Sequence, residues 1–360
     1  MLPYFTERFG NAASRSHIFG HQAKSGVEVA REQIAELLGA SPKEIILTSG
    51  ATESNNLAIL GVCDALRAEK RHVVTTTIEH KAVLDPVKHL GERGFDVTIV
   101  PVDGSGVVDV DAVMAALRPD TALVSVMAAN NEIGTLQPFE AIGVGCRARG
   151  VAFHVDAAQI VGKLPFRADV ADLVSVSAHK LYGPKGVGAL WVRRRPRVPM
   201  TPLFFGGGHE RGLRSGTLPV PLIVGFGAAC VLAAEDLASG MPARIGALRD
   251  RLWAGLCAIG GAQVNGDPTR RVPGNLNVSF DGVDAEAIML ACREVAVSSG
   301  SACTSASLEP SHVLRAIGLS SVRAHGSIRF GLGRTTTADE IERTIALYAA
   351  AIPALRAMNP

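Results

Sequence analysis

The sequence predicts an α/β protein: a large domain with a mostly parallel sheet flanked by helices, then a smaller α+β C-terminal domain. Three observations predict it. Short apolar, β-branched runs at 45–47, 72–76, 97–100, 122–127 and 173–176 alternate with segments of helical spacing, the pattern of crossover connections. The polar residues able to do chemistry fall just after those runs, at the carboxyl ends of strands, where open α/β sheets bind ligands. From about Leu237 the order changes to a helix (Ile245, Leu248, Leu252, Leu256), a strand (276–280) and a helix (285–292). This places the large domain at 1–237 and the small one at 238–360.

The totals set limits on function. Over 360 residues a net charge of +2, with no long basic run, points to no nucleic-acid partner. The six cysteines (63, 146, 230, 257, 292, 303) contain no CxxC pair, so neither a zinc knuckle nor a dithiol redox motif is expected, and reduced thiols in the cytoplasm are the simpler reading. Glu7 and Arg8 interrupt the start before any signal-peptide pattern. The apolar run 218–234 contains Pro219, Pro221, Gly225 and Gly227 and is read as a buried helix, not a membrane span.

In chain order, Val27, Ala30, Ile34, Leu37 and Leu38 mark a helix that Gly39 stops. Ile45 to Leu47 leads into Thr48-Ser-Gly-Ala-Thr-Glu53 and an apolar helix to about Leu66. A turn of small residues at a helix start offers free N–H groups and hydroxyls to an anion, although Ser or Thr there is usually only a cap. Strand 72–76 ends in Glu79-His80-Lys-Ala-Val83, and strand 122–127 in Ala129-Asn-Asn131-Glu132. A histidine or paired asparagines at such ends ordinarily shape a loop or turn. After a helix over 139–149, Phe153-His-Val-Asp156 closes a strand on a carboxylate.

Leu173 to Val176 reads as a buried strand running into Ser177-Ala-His179-Lys180, with the next strand at Gly188 to Val192. A lysine in that connection is costly to bury, and a covalent bond to an aldehyde cofactor is a reason to place one there. Asp156 and Lys180 are the two residue types that pyridoxal 5'-phosphate requires: an acid against the pyridine nitrogen and an amine for the aldehyde. Further on lie the glycine-rich run Gly206-Gly-Gly-His-Glu-Arg-Gly-Leu-Arg-Ser-Gly-Thr217, the polar run Ser298-Ser-Gly-Ser-Ala-Cys303-Thr-Ser305, and Arg329 in a strand over 328–332. Small, polar neighbours make Cys303 an exposed cysteine on a mobile loop, whereas the other five lie in apolar or helical surroundings.

These stretches resemble fold-type I pyridoxal phosphate enzymes of the class V aminotransferase family, and Ser-Ser-Gly-Ser-Ala-Cys-Thr-Ser resembles the group I cysteine desulfurases of the NifS/IscS type. The resemblance implies a fold-type I transferase that removes sulfur from L-cysteine, giving alanine and a persulfide on Cys303. It implies catalytic roles for Cys303, Lys180 and His80, the last stacked on the pyridine ring. It places Ala51, Thr52, Asn131, Asp156, Gln159, Ser177, His179 and Thr217 with them at the cofactor. Asn131 and Arg329 are expected at the substrate carboxylate. Thr217 is expected to reach the phosphate of a partner copy, which makes the protein a homodimer. A sulfur-acceptor protein such as an iron–sulfur scaffold is the expected partner, with no nucleic acid, membrane or metal. Related desulfurases begin with an Asp-Asn-x-Ala-Thr-Thr-like segment before the first residue here, and some carry a longer C-terminal tail.

Other readings fit many of the same residues. A class V aminotransferase has no use for the Cys303 loop. A selenocysteine lyase does not need Cys303 either. A cofactor-binding but inactive assembly partner has no need of Lys180, Asp156, Cys303 and Arg329 together.

Overall fold

In a computed structural model, which describes residues 1–299 and 311–358, the chain forms two units. The first takes in residues 1–100, 110–128 and 138–238, and the second 101–109, 129–137 and 239–360.

The first unit is built on seven strands: β1 (Ile45–Thr48), β2 (His72–Thr76), β3 (Asp96–Val100), β4 (Thr121–Met127), β5 (Ala152–Asp156), β6 (Leu173–Ser177) and β7 (Gly188–Val192). Their order is β1-β7-β6-β5-β4-β2-β3. The pairs β2–β3, β2–β4, β4–β5 and β5–β6 are parallel, while β7 is antiparallel to both β6 and β1. Parallel neighbours need a crossover, and α2 (Ala51–Leu66), α3 (Lys81–Glu92) and α4 (Phe139–Ala148) lie between strands and supply it, while α1 (Ile18–Leu37) precedes β1 and α5 (Val220–Ala238) follows β7. β6 to β7 has only a short connection, which suffices for an antiparallel return. Strands β1, β2, β4, β6 and β7 are buried along their whole length, which explains why they read as continuous apolar runs rather than alternating ones. Ile46, Leu57, Val62, Val73, Leu123, Leu173 and Leu190 share one core.

Helix α5 corrects the expectation of a buried helix. Its Ile223, Phe226, Ala229, Cys230 and Ala233 are buried, but Ala228, Val231 and Leu232 are exposed. Its mean hydropathy of 1.8 and its 19 residues would let it cross a membrane by length and composition alone. Here its buried side lies on α1. A Cβ at Gly227 would stand 2.7 Å from the Ala30 Cα, so glycine is what lets the two helices approach so closely.

The second unit has four antiparallel strands in the order β10-β11-β9-β8: β8 (Ala262–Val264), β9 (Asn275–Phe280), β10 (Ser298–Ser299) and β11 (Ser327–Gly331). It also carries α6 (Met241–Ala258), α7 (Ala285–Ala291), α8 (His312–Ala316), α9 (Ser321–His325) and α10 (Ala338–Met358). Leu256, Leu276, Phe280, Ile328, Phe330 and Tyr348 are among its core residues. Segment 129–137 belongs to this unit, although the sequence places it in the large domain. Buried Arg271 donates to the carbonyl of Ile133, and the Asn275 and Asn277 amides donate to that of Glu132 at 3.2 and 3.1 Å.

Candidate active site

The parallel strands of the first unit end side by side. Met127 pairs with Asp156, and Asp156 with Ser175, so β4, β5 and β6 present their carboxyl ends in a row. Thr217 apart, each expected residue of this unit lies at or just after a strand's carboxyl end or opens the next helix.

Between β1 and α2 the chain turns at Gly50 (φ +149°), a conformation that side chains rarely adopt. A Cβ there would stand 3.5 Å from Ser177 Oγ, which brings the turn against the end of β6. Ala51 and Thr52 open α2, whose first N–H groups have no partners within the helix. Ser177 Oγ and His179 Nδ1 are 3.0 Å apart. Burial and the positive charges of Lys180, Lys185 and Lys163 hold the His179 imidazole below its usual range, so it is neutral at pH 7. Lys180 lies in the single turn 178–181. It is exposed, which corrects the argument from a costly burial: its place after β6, not desolvation, singles it out.

Asp156 is buried at the end of β5. Its Oδ2 accepts from Asn55 Nδ2 at 2.7 Å and its Oδ1 from the Ala158 N–H at 3.0 Å. Gln159, in the turn that follows, accepts from Lys163 Nζ at 3.1 Å. His80 is the N-cap of α3, and its Nδ1 accepts from the Ala82 N–H at 3.0 Å. That bond leaves the ring proton on Nε2. Thr217 is exposed beyond the glycine-rich segment.

Two of the expected residues among those described belong to the second unit. Arg329, on β11, donates to the Asn131 carbonyl at 2.8 Å and to Ser298 Oγ at 3.4 Å. Asn131 thus orients Arg329 through its main chain. Cys303 lies outside the described residues.

Sequence reasoning missed three residues. Asn55 sits one turn into α2 and reads as an ordinary polar helix residue. Glu79 is fully buried and accepts from Thr76 Oγ1 at 2.7 Å and the Met127 N–H at 2.9 Å. Burial pushes its carboxyl up to about 8. Glu132 is buried beside Arg329, accepts from Ser311 Oγ, and is pushed up to about 7 by burial. Glu79 and Glu132 are neighbours of the quoted His80 and Asn131, which was the only signal available for them.

The first-unit residues fit a cofactor that is anionic at one end and basic at the other. The Gly50 turn, in a backbone conformation that side chains rarely adopt, lies within ordinary contact distance of Ser177, and the donors there suit a phosphate. Asp156, held by two donors and next to the buried Asn55 Oδ1, which has no hydrogen-bond partner among the described residues, suits a protonated ring nitrogen. Lys180 supplies the amine.

Residues 1–344 match the family model described as aminotransferase class-V. The chain belongs to this family. Family members of this kind are pyridoxal phosphate enzymes, and so is this chain. It is 56% identical to the cysteine desulfurase IscS of Haemophilus influenzae (strain PittGG), over 98% of this chain and 87% of that protein. It is 57% identical to the cysteine desulfurase IscS of Anaeromyxobacter sp. (strain Fw109-5), over 100% of this chain and 90% of that one. A solved NifS-like protein superposes with a TM-score of 0.91 at 38% identity, covering 98% of this chain and 94% of that chain. The structure of SspA in complex with cysteine matches with a TM-score of 0.80 at 39% identity, over 92% of each chain.

Proposed function

We propose that this chain is a cysteine desulfurase in which Lys180, Asp156 and Cys303 carry the reaction. The observation that supports it best is the row of strand ends: Asp156 on β5, Lys180 after β6, and the Gly50 turn against Ser177. Bound pyridoxal phosphate supplies an aldehyde that captures amines and a ring that accepts electrons.

The other work falls to the chain. Ala51 and Thr52 of α2, with Ser177, His179 and a partner's copy of Thr217, hold the phosphate. Asp156 would keep a proton on the ring nitrogen, Gln159 would bond the ring hydroxyl, and His80 would stack on the ring. Arg329, aimed by the Asn131 carbonyl, anchors the substrate carboxylate as a charge-assisted pair. Lys180 Nζ takes the proton from the substrate Cα. The Cys303 thiolate attacks the substrate sulfur: an S–S bond forms, the C–S bond breaks, and its electron pair returns to carbon with a proton. L-cysteine and the Cys303 thiol become alanine and a Cys303 persulfide, and the balance closes with no further oxidant.

Thr217 makes the working form a homodimer. The persulfide passes to an acceptor protein of iron–sulfur assembly or to thio-cofactor or tRNA thiolation. The cytoplasm is the compartment that suits free thiols, and the five described cysteines are all free. The domain reading, 1–237 and 238–360, places the cofactor residues in one domain and Cys303 in the other.

The test is incubation of the purified protein with pyridoxal phosphate and L-cysteine. Alanine and sulfide should form in equal amounts under reducing conditions. No alanine from a cofactor-loaded protein would overturn the reading. Alanine formation undiminished in Cys303→Ser would remove Cys303 from it.

A further inference from the structure

The Asn55–Asp156 contact carries more than a structural role. Asn55 is 1% exposed, and its Nδ2 lies 2.7 Å from Asp156 Oδ2. Its other polar atom, Oδ1, is buried and has no hydrogen-bond partner among the described residues. Turning the amide over would not relieve this, because the oxygen would then face a carboxylate. A buried acceptor without a donor costs about 1–3 kcal/mol. A site selected for stability alone has no reason to keep such a group, so the amide is there for Asp156.

Its position on α2 matters as well. The helix starts at Ala51, beside the Gly50 turn that abuts Ser177. Four residues later it delivers Asn55 to Asp156, a rise of about 6 Å. One rigid helix therefore sets the distance between the phosphate donors and the acid. The surroundings are arranged to hold a single negative charge. Asp156 Oδ1 is taken by a backbone N–H, and the neighbouring buried carboxyl, Glu79, is neutral at pH 7 because burial pushes it up to about 8. An amide at position 55 can hold Asp156 without adding a second charge.

We propose that Asn55 is a positioning residue: it fixes the bearing of the Asp156 carboxylate on the cofactor nitrogen from the helix that also holds the phosphate, and it keeps that carboxylate the only anion there. The proposal rests on the reading that Asp156 faces the ring nitrogen. Asn55 does not touch the reacting atoms and acts only through Asp156.

The experiment uses the full-length holoprotein and three variants: Asn55→Ala, Asn55→Asp and Asp156→Asn. Two quantities are read between pH 6 and pH 9. One is the rate of cofactor loss after dilution, and the other is the pH titration of the absorbance band of the lysine-bound cofactor. Melting temperatures with the cofactor stripped report folding, and Asn55→Asp, nearly isosteric, serves where Asn55→Ala is too unstable.

Asn55→Ala should lose cofactor about tenfold faster, the worth of one hydrogen bond to a charged group. Asn55→Asp places two carboxylates within hydrogen-bond distance, which cannot both ionise easily. It should release cofactor fastest at pH 9 and recover as the pH falls, with the absorbance titration displaced from that of the parent. Unchanged release and titration in both Asn55 variants, with a clear effect of Asp156→Asn, would overturn the proposal. So would equal loss in both variants at every pH alongside an equal fall in melting temperature, which would mark Asn55 as structural. If Asp156→Asn itself changes nothing, the reading of Asp156 fails, and this inference with it.

Discussion

Arg214 Nε donates to Glu53 Oε1 at 2.7 Å, tying the glycine-rich segment to the first turn of α2. Glu53 also accepts from the Ser49 N–H at 2.8 Å. Burial alone would raise its carboxyl, but the hydrogen bonds from Arg214 and Ser49 hold it below the usual range. An acid beside the proposed phosphate site is unfavourable unless its charge is matched, and Arg214 matches it. Arg214→Ala should cost about 1–2 kcal/mol in urea unfolding and speed cofactor loss, because a half-buried anion is left at the helix start. Glu53→Gln in the same chain should restore much of the cofactor affinity. A double variant no better than the single one would show that Arg214 acts by itself.

The root of the same segment is fixed by a buried ion pair. Arg31 of α1 donates through both terminal nitrogens to Glu210 at 2.8 Å, and Glu210 also accepts from the Leu47 N–H at 2.8 Å. Glu210 and Arg211 have φ of 49° and 60°, so the loop is held in a left-handed bend by these bonds. Glu210→Ala leaves a strand N–H without its acceptor and Arg31 with only the Ile45 carbonyl at 3.0 Å and the Glu28 carboxylate at 3.6 Å. It should lower stability by about 3–5 kcal/mol. A loss under 1 kcal/mol would show that water or another acid replaces it.

Two buried groups set opposing pH dependences. Glu79 has an ordinary value of 4.5 and is raised to about 8 by burial. The folded state binds the extra proton, so this group's stabilisation is complete below 4.5 and lost as pH rises through 8. His154, fully buried between Ser125 Oγ (2.8 Å) and Ser175 Oγ (2.9 Å), is lowered from 6.5 to about 3 by burial. Its contribution is present above 6.5 and lost as pH falls through 3. Between 4.5 and 6.5 the two slopes cancel. Glu79→Gln should flatten the alkaline side, with stability above that of the parent by on the order of 3 kcal/mol at pH 9. An unchanged alkaline slope in urea titrations would mean that other groups govern it.

Much of this was legible in the sequence, for reasons that particular residues show. The runs at 72–76, 122–127 and 173–176 are strands buried on both faces, so unbroken β-branched stretches marked them. Asp156 and Lys180 stood out because each follows such a run. Asn55 did not, because a polar residue in a helix reads as a solvent-facing one. Only the packing of α2 against the end of β5 turns it inward. The hydrogen bonds of segment 129–137 were not legible, because their donors, Arg271, Asn275 and Asn277, lie more than a hundred residues away. The exposed side of α5 was hidden by composition: Val231 and Leu232 are as apolar as the buried Ile223 and Phe226.

The five described cysteines narrow the choice of sulfur carrier. Burial pushes the Cys63 and Cys146 thiols up to about 12 and raises those of Cys230, Cys292 and Cys257. Only the thiolate attacks sulfur, so at pH 7.5 these five are poor nucleophiles. Cys257 alone of them is exposed, and it is the control for accessibility without activation. Cys303, flanked by Ala302 and Thr304, is the remaining candidate. Brief alkylation of the native protein, followed by peptide mass mapping, should label Cys303 first, with Cys257 slower and the other four protected. Cys303→Ser should keep the bound cofactor and its absorbance but form no protein persulfide with L-cysteine. Persulfide on Cys257 in that variant, at the parent's rate, would move the nucleophile there and show that exposure outweighs the raised thiol.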